Sequence, residues 1–204
     1  MNTNNKVVAV LVQTRISVSV DQYKDVYNKQ MHPIVMAQPG MIATMAGVIT
    51  SENGQDPQQT EGGATVLSLV IWKDMESHVA FITGPAAGPF FGALMPLMRE
   101  PPSVEHYGVD GLQSSAFSSH YAQILKASSA DNKQLLANVL KTHTTTEGED
   151  KALFSDCKED TSKKALVLFS NSDKFEAAGG SVNKGMGIEQ CNIEWYARGT
   201  NSSH

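Results

Sequence analysis

The sequence has few cysteines and no clustered positive charge. Its 204 residues contain two cysteines, Cys157 and Cys191, which is too few for the disulfide framework of a small secreted protein. We therefore expect two free thiols in a reducing, cytoplasmic compartment. The formal net charge is −5 and the 16 lysines and arginines are scattered along the chain, so no nucleic-acid-binding surface is predicted.

Sequence patterns of several other protein classes are also missing. No apolar run is long enough to span a bilayer, and the first ten residues lack the basic and apolar regions of a secretion signal, so no membrane association is expected. The chain has no glycine motif for phosphate or dinucleotide binding and no G-x-S-x-G motif of a serine hydrolase. What is left is a globular protein with 41% hydrophobic residues, enough for a sizeable core.

The pattern that is present is an order of strands and helices that occurs twice. The first half predicts strand, helix, strand, strand, helix and strand over residues 6–16, 19–35, 41–52, 64–72, 75–98 and 101–112. The second half predicts the same order over residues 116–128, 131–140, 151–160, 163–172, 173–180 and 187–199. A βαββαβ order is the signature of a ferredoxin-like unit, so two such units are predicted.

Local signals mark where the predicted helices begin and break. Ser19 with Gln22 forms a capping box, Asp74 is the N-cap expected before the second helix, and Asp131 is expected to cap the main helix of the second half. At His32-Pro33 the first helix is expected to kink or restart, and at Pro39-Gly40 it is expected to stop. Breaks are also expected at Gly84-Pro85 and Gly88-Pro89, with Pro89 at the first position of a new helix.

The predicted fold class is α+β: two tandem ferredoxin-like βαββαβ units that form a dimeric-type α/β barrel. Each unit has its helices on one face of its sheet and leaves the other face bare, so the two bare faces are expected to pack together. A small-molecule cavity is expected between the two sheets. Residues 1–112 are the predicted half with the active site, and residues 113–204 are the predicted second, degenerate half.

Three features carry a resemblance to a known family. They are Trp72 at a strand end, the run WKDMESHVAFITGPAAGPFF with His78, and HPIVMAQPG at the end of the first helix. In these features the sequence resembles the dimeric α/β-barrel (ferredoxin-like) superfamily, especially its antibiotic-biosynthesis-monooxygenase-like branch in a tandem two-repeat form. The resemblance implies an enzyme of secondary metabolism, since members include cofactor-free oxygenases of polycyclic phenols, polyketide cyclases, isomerases and haem-degrading enzymes. The Trp-turn-His pattern is missing from the second half, which implies a scaffolding role there.

Three histidines of the first half, His78, His32 and His106, are the candidate catalytic residues. Histidine suits proton transfer at neutral pH because its ordinary pKa is about 6.5. The alternative is that they are ordinary buried or helix-end histidines. No pair of them has the short spacing of a zinc site and no carboxylate is grouped with them, so no metal is predicted.

Aromatic and methionine side chains of the same half are the candidate substrate-binding residues. Their flat or adaptable apolar surfaces suit a flat, hydrophobic substrate, with ordinary core packing as the alternative. They are Tyr23, Tyr27, Trp72, Phe81, Phe90, Phe91 and Met95.

Together these features predict an enzyme that acts on a hydrophobic polyketide-like or aromatic substrate by proton transfer, with no bound cofactor. Cyclisation, dehydration or isomerisation is the leading expectation, and a cofactor-free monooxygenase of phenols is the nearest alternative. A non-catalytic barrel that binds a small molecule or haem is the alternative from another class. A homodimer is expected because sheet edges and the apolar segment 84–98 need cover.

Overall fold

The fold of the first half follows the predicted element order. The computed structural model describes residues 7–52, 63–109, 114–147, 152–171 and 188–200. The first-half elements are β1 (Val8–Arg15), α1 (Val20–Val26), a π-helical turn (Tyr27–Met31), α2 (His32–Met36), β2 (Met41–Glu52), β3 (Thr65–Trp72), α3 (Met75–Thr83), α4 (Ala87–Leu94) and β4 (Ser103–Gly108).

The second half contributes four strands and one long helix to the described residues. These elements are β5 (Tyr121–Ala127), α5 (Ala130–Glu147), β6 (Ala152–Asp156), β7 (Lys164–Ser170) and β8 (Ile188–Thr200). The strand predicted from residue 116 begins only at Tyr121, because Ser114–Ser118 form a 3-10 turn. The short helix predicted at 173–180 lies outside the described residues, as do most of the predicted boundary region and of the loop after β2.

The two halves share one eight-stranded antiparallel sheet with the order β4-β1-β3-β2-β8-β5-β7-β6. Strands β2 and β8 join the halves, and a bridge between Tyr107 and Cys157 brings the two outer strands together. The sheet is therefore a nearly closed barrel within one chain, which confirms the predicted α+β barrel class. A second copy is not needed to complete the sheet, and the homodimer stays a prediction.

The barrel interior is filled by side chains from both halves. Ala9 and Leu11 of β1 pack in one buried cluster with Tyr107, Phe169 and Ile193. The prediction of a cavity between the two sheets is therefore wrong, because large inward-facing side chains fill a barrel of this size. The alternate residues of β1 point to the opposite face, which the first-half helices cover.

The helix ends follow the predicted signals in part. Ser19 forms its capping box with Gln22, and the Asp74 carboxylate accepts the Ser77 backbone N–H at 2.7 Å. The second-half helix begins one residue before Asp131, and Ser129 is its cap: its hydroxyl accepts the Asn132 N–H at 3.2 Å. Asp131 is thus inside the first turn, where an acidic side chain complements the helix dipole.

The helix restarts as α2 at His32-Pro33, as predicted, whereas Pro89 takes a different position from the predicted one. The chain stays helical through His32-Pro33, since a π turn immediately before them lets the His32 N–H bond to the Tyr27 carbonyl five residues back. Helix α4 begins at Ala87, so Pro89 occupies its third position and not the predicted first. Proline costs little there because N–H groups of a first turn have no intrahelical partner.

The bent pair α3 and α4 is the most apolar helical segment. Within the described ranges no single helix is long and apolar enough to cross a membrane; Met75–Thr83 and Ala87–Leu97 pass together by length and composition, at a bend of 75°. The pair packs on the first-half sheet through its buried Phe81 and Leu94. This packing places the pair over the helix-facing side of the sheet.

Candidate active site

A cavity of about 260 Å³ lies between the helix-facing side of the first-half sheet and the helices that cover it. Strands β1, β3 and β4 supply valines to its floor, and α1, the π turn, α3 and α4 supply its walls. The lining is largely apolar, with few polar side chains. Those polar side chains are Thr14, Tyr23, Tyr27, Ser68, His78 and His106.

Aromatic rings form one continuous wall of this cavity. The Trp72 ring stacks on Phe81 with centroids 5.5 Å apart, and Phe81 meets Phe90 edge-on at 5.3 Å. Phe90 in turn meets Phe91 edge-on at 5.4 Å. Such packed rings form a rigid, flat surface that suits an aromatic ligand.

His78 lies at this wall in the first turns of α3. The Asp74 cap fixes the start of that helix, which directs the His78 side chain toward the strand end at Trp72. The two ring centroids are 5.6 Å apart, and His78 is only 8% exposed. Its Nδ1 atom lies 3.1 Å from Nε2 of His106.

His106 links His78 to a carboxylate of the second half. The Nδ1 atom of His106 forms a short hydrogen bond with Oε1 of Glu159, and the His106 backbone N–H donates to Oε2 at 3.0 Å. Glu159 lies in the turn between β6 and β7, which the Lys158 N–H ties to the His106 carbonyl at 2.8 Å. The Cys157 thiol also donates to Oε2, at 3.2 Å.

The charges along this chain follow from its hydrogen bonds. Burial raises the pKa of Glu159, but hydrogen bonds from the His106 N–H, the Cys157 thiol and the His106 ring outweigh it and leave the pKa below its usual value. Burial, with a smaller contribution from His106, lowers the pKa of His78 to about 4. At neutral pH the chain therefore ends in an ionised Glu159 and a neutral His78.

The ionised carboxylate selects the tautomers of both imidazoles. It can only accept, so Nδ1 of His106 carries a hydrogen, and in the neutral form of His106 the Nε2 atom is then an acceptor. Nδ1 of His78 then donates to that acceptor, and Nε2 of His78 is left without a hydrogen. A lone pair on a neutral imidazole at the edge of an apolar cavity is a suitable general base.

Eight of the ten predicted site residues line the cavity. They are His78, His106, Tyr23, Tyr27, Trp72, Phe81, Phe90 and Phe91. Their roles in chemistry and substrate binding stay predictions, because lining a cavity does not by itself assign a role.

His32 and Met95 do not line the cavity. His32 packs beside the Tyr27 ring with centroids 5.8 Å apart, and a side chain at Gly199 of β8 would come within 2.9 Å of its Nε2 atom. The π turn resets the helix so that His32 faces β8. Met95 begins the 3-10 turn after α4 and is 61% exposed. The predicted roles of His32 in catalysis and of Met95 in substrate binding stay predictions without support from the cavity lining.

Sequence reasoning missed Glu159 and the cavity hydroxyls of Ser68 and Thr14. Glu159 is a turn carboxylate of the half taken as scaffold, and no spacing relates it to His106. For Ser68 and Thr14 the available sequence signal was strand alternation, since Thr14 follows Val10 and Val12 on one face of β1.

The polar groups of the site form a chain and do not surround one point. Among the residues that the structure describes, no group of three or more histidine, cysteine, aspartate or glutamate side chains is placed to hold a metal ion. Glu159, His106 and His78 follow one another through hydrogen bonds. This arrangement suits the passage of a proton, and the absence of a cofactor stays a prediction.

Comparison with known proteins shows the fold. No family model and no curated protein matches the chain. A protein of Fusobacterium nucleatum named "Putative monooxygenase" has a TM-score of 0.69 at 10% identity, over 96% of this chain and 95% of that one. A Lactobacillus acidophilus protein of the same name has a TM-score of 0.63 at 11% identity, over 96% of both chains. An anthrone oxidase-like protein has a TM-score of 0.58 at 11% identity, over 100% of this chain and 97% of that one.

These similarities extend over both halves of the chain. Structures that match almost end to end share the fold of both halves, which agrees with the predicted dimeric-type α/β-barrel fold. Identities of 10–11% say nothing by themselves about reaction or substrate. Function has to be argued from the cavity and its hydrogen-bonded chain.

Proposed function

We propose that the protein is an enzyme that removes a proton from a phenolic or enolisable aromatic substrate, without a cofactor. One observation carries the proposal: a hydrogen-bonded chain from Glu159 through His106 to His78 that ends at an apolar cavity. Aromatic rings would hold the flat substrate, and the neutral His78 would take the proton.

The chain explains how a histidine with a depressed pKa can act as a base. When Nε2 of His78 accepts the substrate proton, its Nδ1 hydrogen can shift toward Nε2 of His106, and the Nδ1 hydrogen of His106 toward Glu159. The positive charge is thereby offset by a carboxylate whose side chain is 48% exposed. The proton moves from the apolar cavity to the solvent side, and the substrate anion stays in the cavity.

Oxygenation is the fate of that anion which we favour. In an anthrone-type substrate the deprotonated methylene carbon bonds to molecular oxygen. The carbon then loses its second hydrogen, one oxygen atom stays as a carbonyl, and the other leaves as water. Anthrone and oxygen thus give anthraquinone and water, with oxygen as the oxidant. Two proteins named "putative monooxygenase" and one anthrone oxidase-like protein share this fold, which is why oxygenation is the fate that we put first.

Return of the proton to the substrate anion is the second candidate fate of that anion. The protonated His78 can give its proton back at another atom of the substrate, which would accomplish the cyclisation, dehydration or isomerisation of a polyketide-like substrate. The same relay favours this reaction, because a chain of exchangeable hydrogens works in both directions.

We expect the enzyme to accelerate methylene proton exchange of anthrone in deuterated water without oxygen. This exchange reports proton removal under either fate, and nuclear magnetic resonance measures it against a buffer blank. In air, the oxygenase fate also predicts uptake of one oxygen molecule for each anthraquinone formed. Exchange without oxygen uptake would favour proton return, and neither exchange nor uptake would contradict the proposed function.

The pH profile of kcat/KM is expected to have its acid limb near pH 4. The base works only when unprotonated, and burial lowers the pKa of His78 to about 4, so activity falls as pH drops through that value. An unshifted histidine would lose activity at about pH 6.5. Initial rates across the acid range, with circular dichroism at each pH to verify folding, check this. A limb near the unshifted value in a folded protein would contradict a neutral, buried base.

A further inference from the structure

We propose that the cavity holds a second polar site, formed by the hydroxyls of Tyr27, Ser68 and Thr14, which binds an oxygen at the far end of the substrate. The inference rests on the proposed function and narrows its substrate class. The ligand would be an elongated aromatic molecule with one oxygen near the histidines and another at the opposite end.

The sheet register separates the two polar sites. Val12 of β1 pairs with Val104 of β4 on one side and with Ser68 of β3 on the other. His106 follows Val104 on the same face of β4, so two strand spacings, roughly 10 Å, separate its strand from that of Ser68. Val10 and Val12 lie between, and a ligand across them meets no polar side chain until it reaches Ser68.

The hydroxyls of Thr44, Tyr27 and Ser68 at the far end form a second chain, in which one of the three hydrogens is not used within the chain. The Tyr27 hydroxyl lies 3.3 Å from the Thr44 hydroxyl, and the Ser68 hydroxyl is close enough to Tyr27 to lower its pKa. Thr44 is fully buried, whereas Ser68 lines the cavity. If Thr44 donates to Tyr27 and Tyr27 to Ser68, the Ser68 hydrogen is left to donate into the cavity. A donor in apolar surroundings favours a ligand oxygen that accepts from it.

These groups suit a neutral oxygen acceptor. Burial raises the pKa of Tyr27 to about 12, although hydrogen bonds to Thr44 and Ser68 oppose the shift, so the phenol stays protonated. Thr14, two residues after Val12 on the same face of β1, adds a further neutral hydroxyl to the cavity lining. With no charged side chain among its members, the site fits a ketone or a phenol better than a carboxylate or a phosphate.

Two naphthols test the inference by binding alone. Fluorescence titration gives dissociation constants for 2-naphthol, with one oxygen, and 2,6-dihydroxynaphthalene, with an oxygen at each end. We expect the wild type to prefer the second compound about tenfold, the equivalent of one additional hydrogen bond. Ser68→Ala is expected to bring this ratio close to one, as is Tyr27→Phe if the alanine variant does not fold. Ser103→Ala, at an exposed serine of β4, is the matched control and should keep the ratio.

The outcomes separate this inference from the proposed function. A wild-type ratio near one, or a tenfold ratio that survives both Ser68→Ala and Tyr27→Phe, would overturn the second site even if anthrone exchange is accelerated. A preference lost in Ser68→Ala without any anthrone exchange would support the second site and overturn only the proposed reaction. If neither naphthol binds, the aromatic substrate class on which both this inference and the proposed function depend is wrong.

Discussion

His78→Gln is expected to lower the rate of anthrone proton exchange by roughly two to four orders of magnitude, the usual contribution of a general base. Glutamine keeps a polar side chain of similar reach in the first turns of α3 but has no basic nitrogen. Since His78 contacts Trp72 and His106, the aromatic wall and the rest of the chain should stay in place. The loss should therefore appear in kcat for exchange, with naphthol binding retained.

Two further histidines serve as matched controls for this variant. His32→Gln changes a histidine that packs against Tyr27 and faces β8, outside the cavity lining. His120→Gln changes an exposed histidine near Asn171. Both variants should exchange anthrone within about threefold of wild type. Equal losses in His32→Gln and His78→Gln would contradict the assignment of His78 as the base, as would a fully active His78→Gln.

The element order and the barrel class were predictable because they depend on local signals. Ser19 and Asp74 cap the helices that they were expected to cap, and the strands follow their apolar runs. The position of the cavity was not predictable from the same signals. Strand β1 is apolar on both faces, so its sequence does not say which face packs solidly and which leaves a void. Packing of both halves into the barrel decides this.

The residues of the candidate site also include some that local signals predict and some that they do not. His78 and His106 were found because a helix start and a strand alternation place them locally. His32 was misplaced because a π turn, which has no clear sequence signal, changes the direction of every later side chain in the helix. Glu159 is 53 residues from His106 in the chain and reaches it only because the barrel closes. A contact made by closure cannot be read from spacing.

Because the barrel closes, the second half therefore contributes a side chain to the candidate site. The bridge between Tyr107 and Cys157 and the bond from the Lys158 N–H to the His106 carbonyl bring the β6–β7 turn to β4. The same turn presents Glu159 to the His106 ring. The second half has no Trp-turn-His pattern of its own, yet it supplies the carboxylate that orients a histidine of the first half. We infer that an active site of the first half requires the closed barrel.

Glu159→Gln tests this dependence, and a loss of roughly tenfold to a hundredfold in anthrone exchange is expected. The carboxylate accepts at both oxygens, from the His106 ring at one and from the His106 N–H and Cys157 thiol at the other. An amide has one accepting oxygen. If that oxygen accepts the hydrogen bond from the His106 backbone N–H, the amide nitrogen faces Nδ1 of His106. Nδ1 must then accept a hydrogen bond from the amide.

The expected consequence is a reversal of tautomers along the chain. His106 would then carry its hydrogen on Nε2 and donate to Nδ1 of His78, which moves the His78 hydrogen to Nε2 and blocks the base. Two-bond proton–nitrogen spectra of the imidazoles distinguish these tautomers, a readout that a merely structural role for Glu159 would not move. Glu100→Gln, at an exposed glutamate paired with Arg15 at 3.5 Å, is the matched control. A folded Glu159→Gln variant with wild-type exchange and unchanged imidazole tautomers would show that His78 works without the second half. In that case the carboxylate that is proposed to select its tautomer would have been removed without effect.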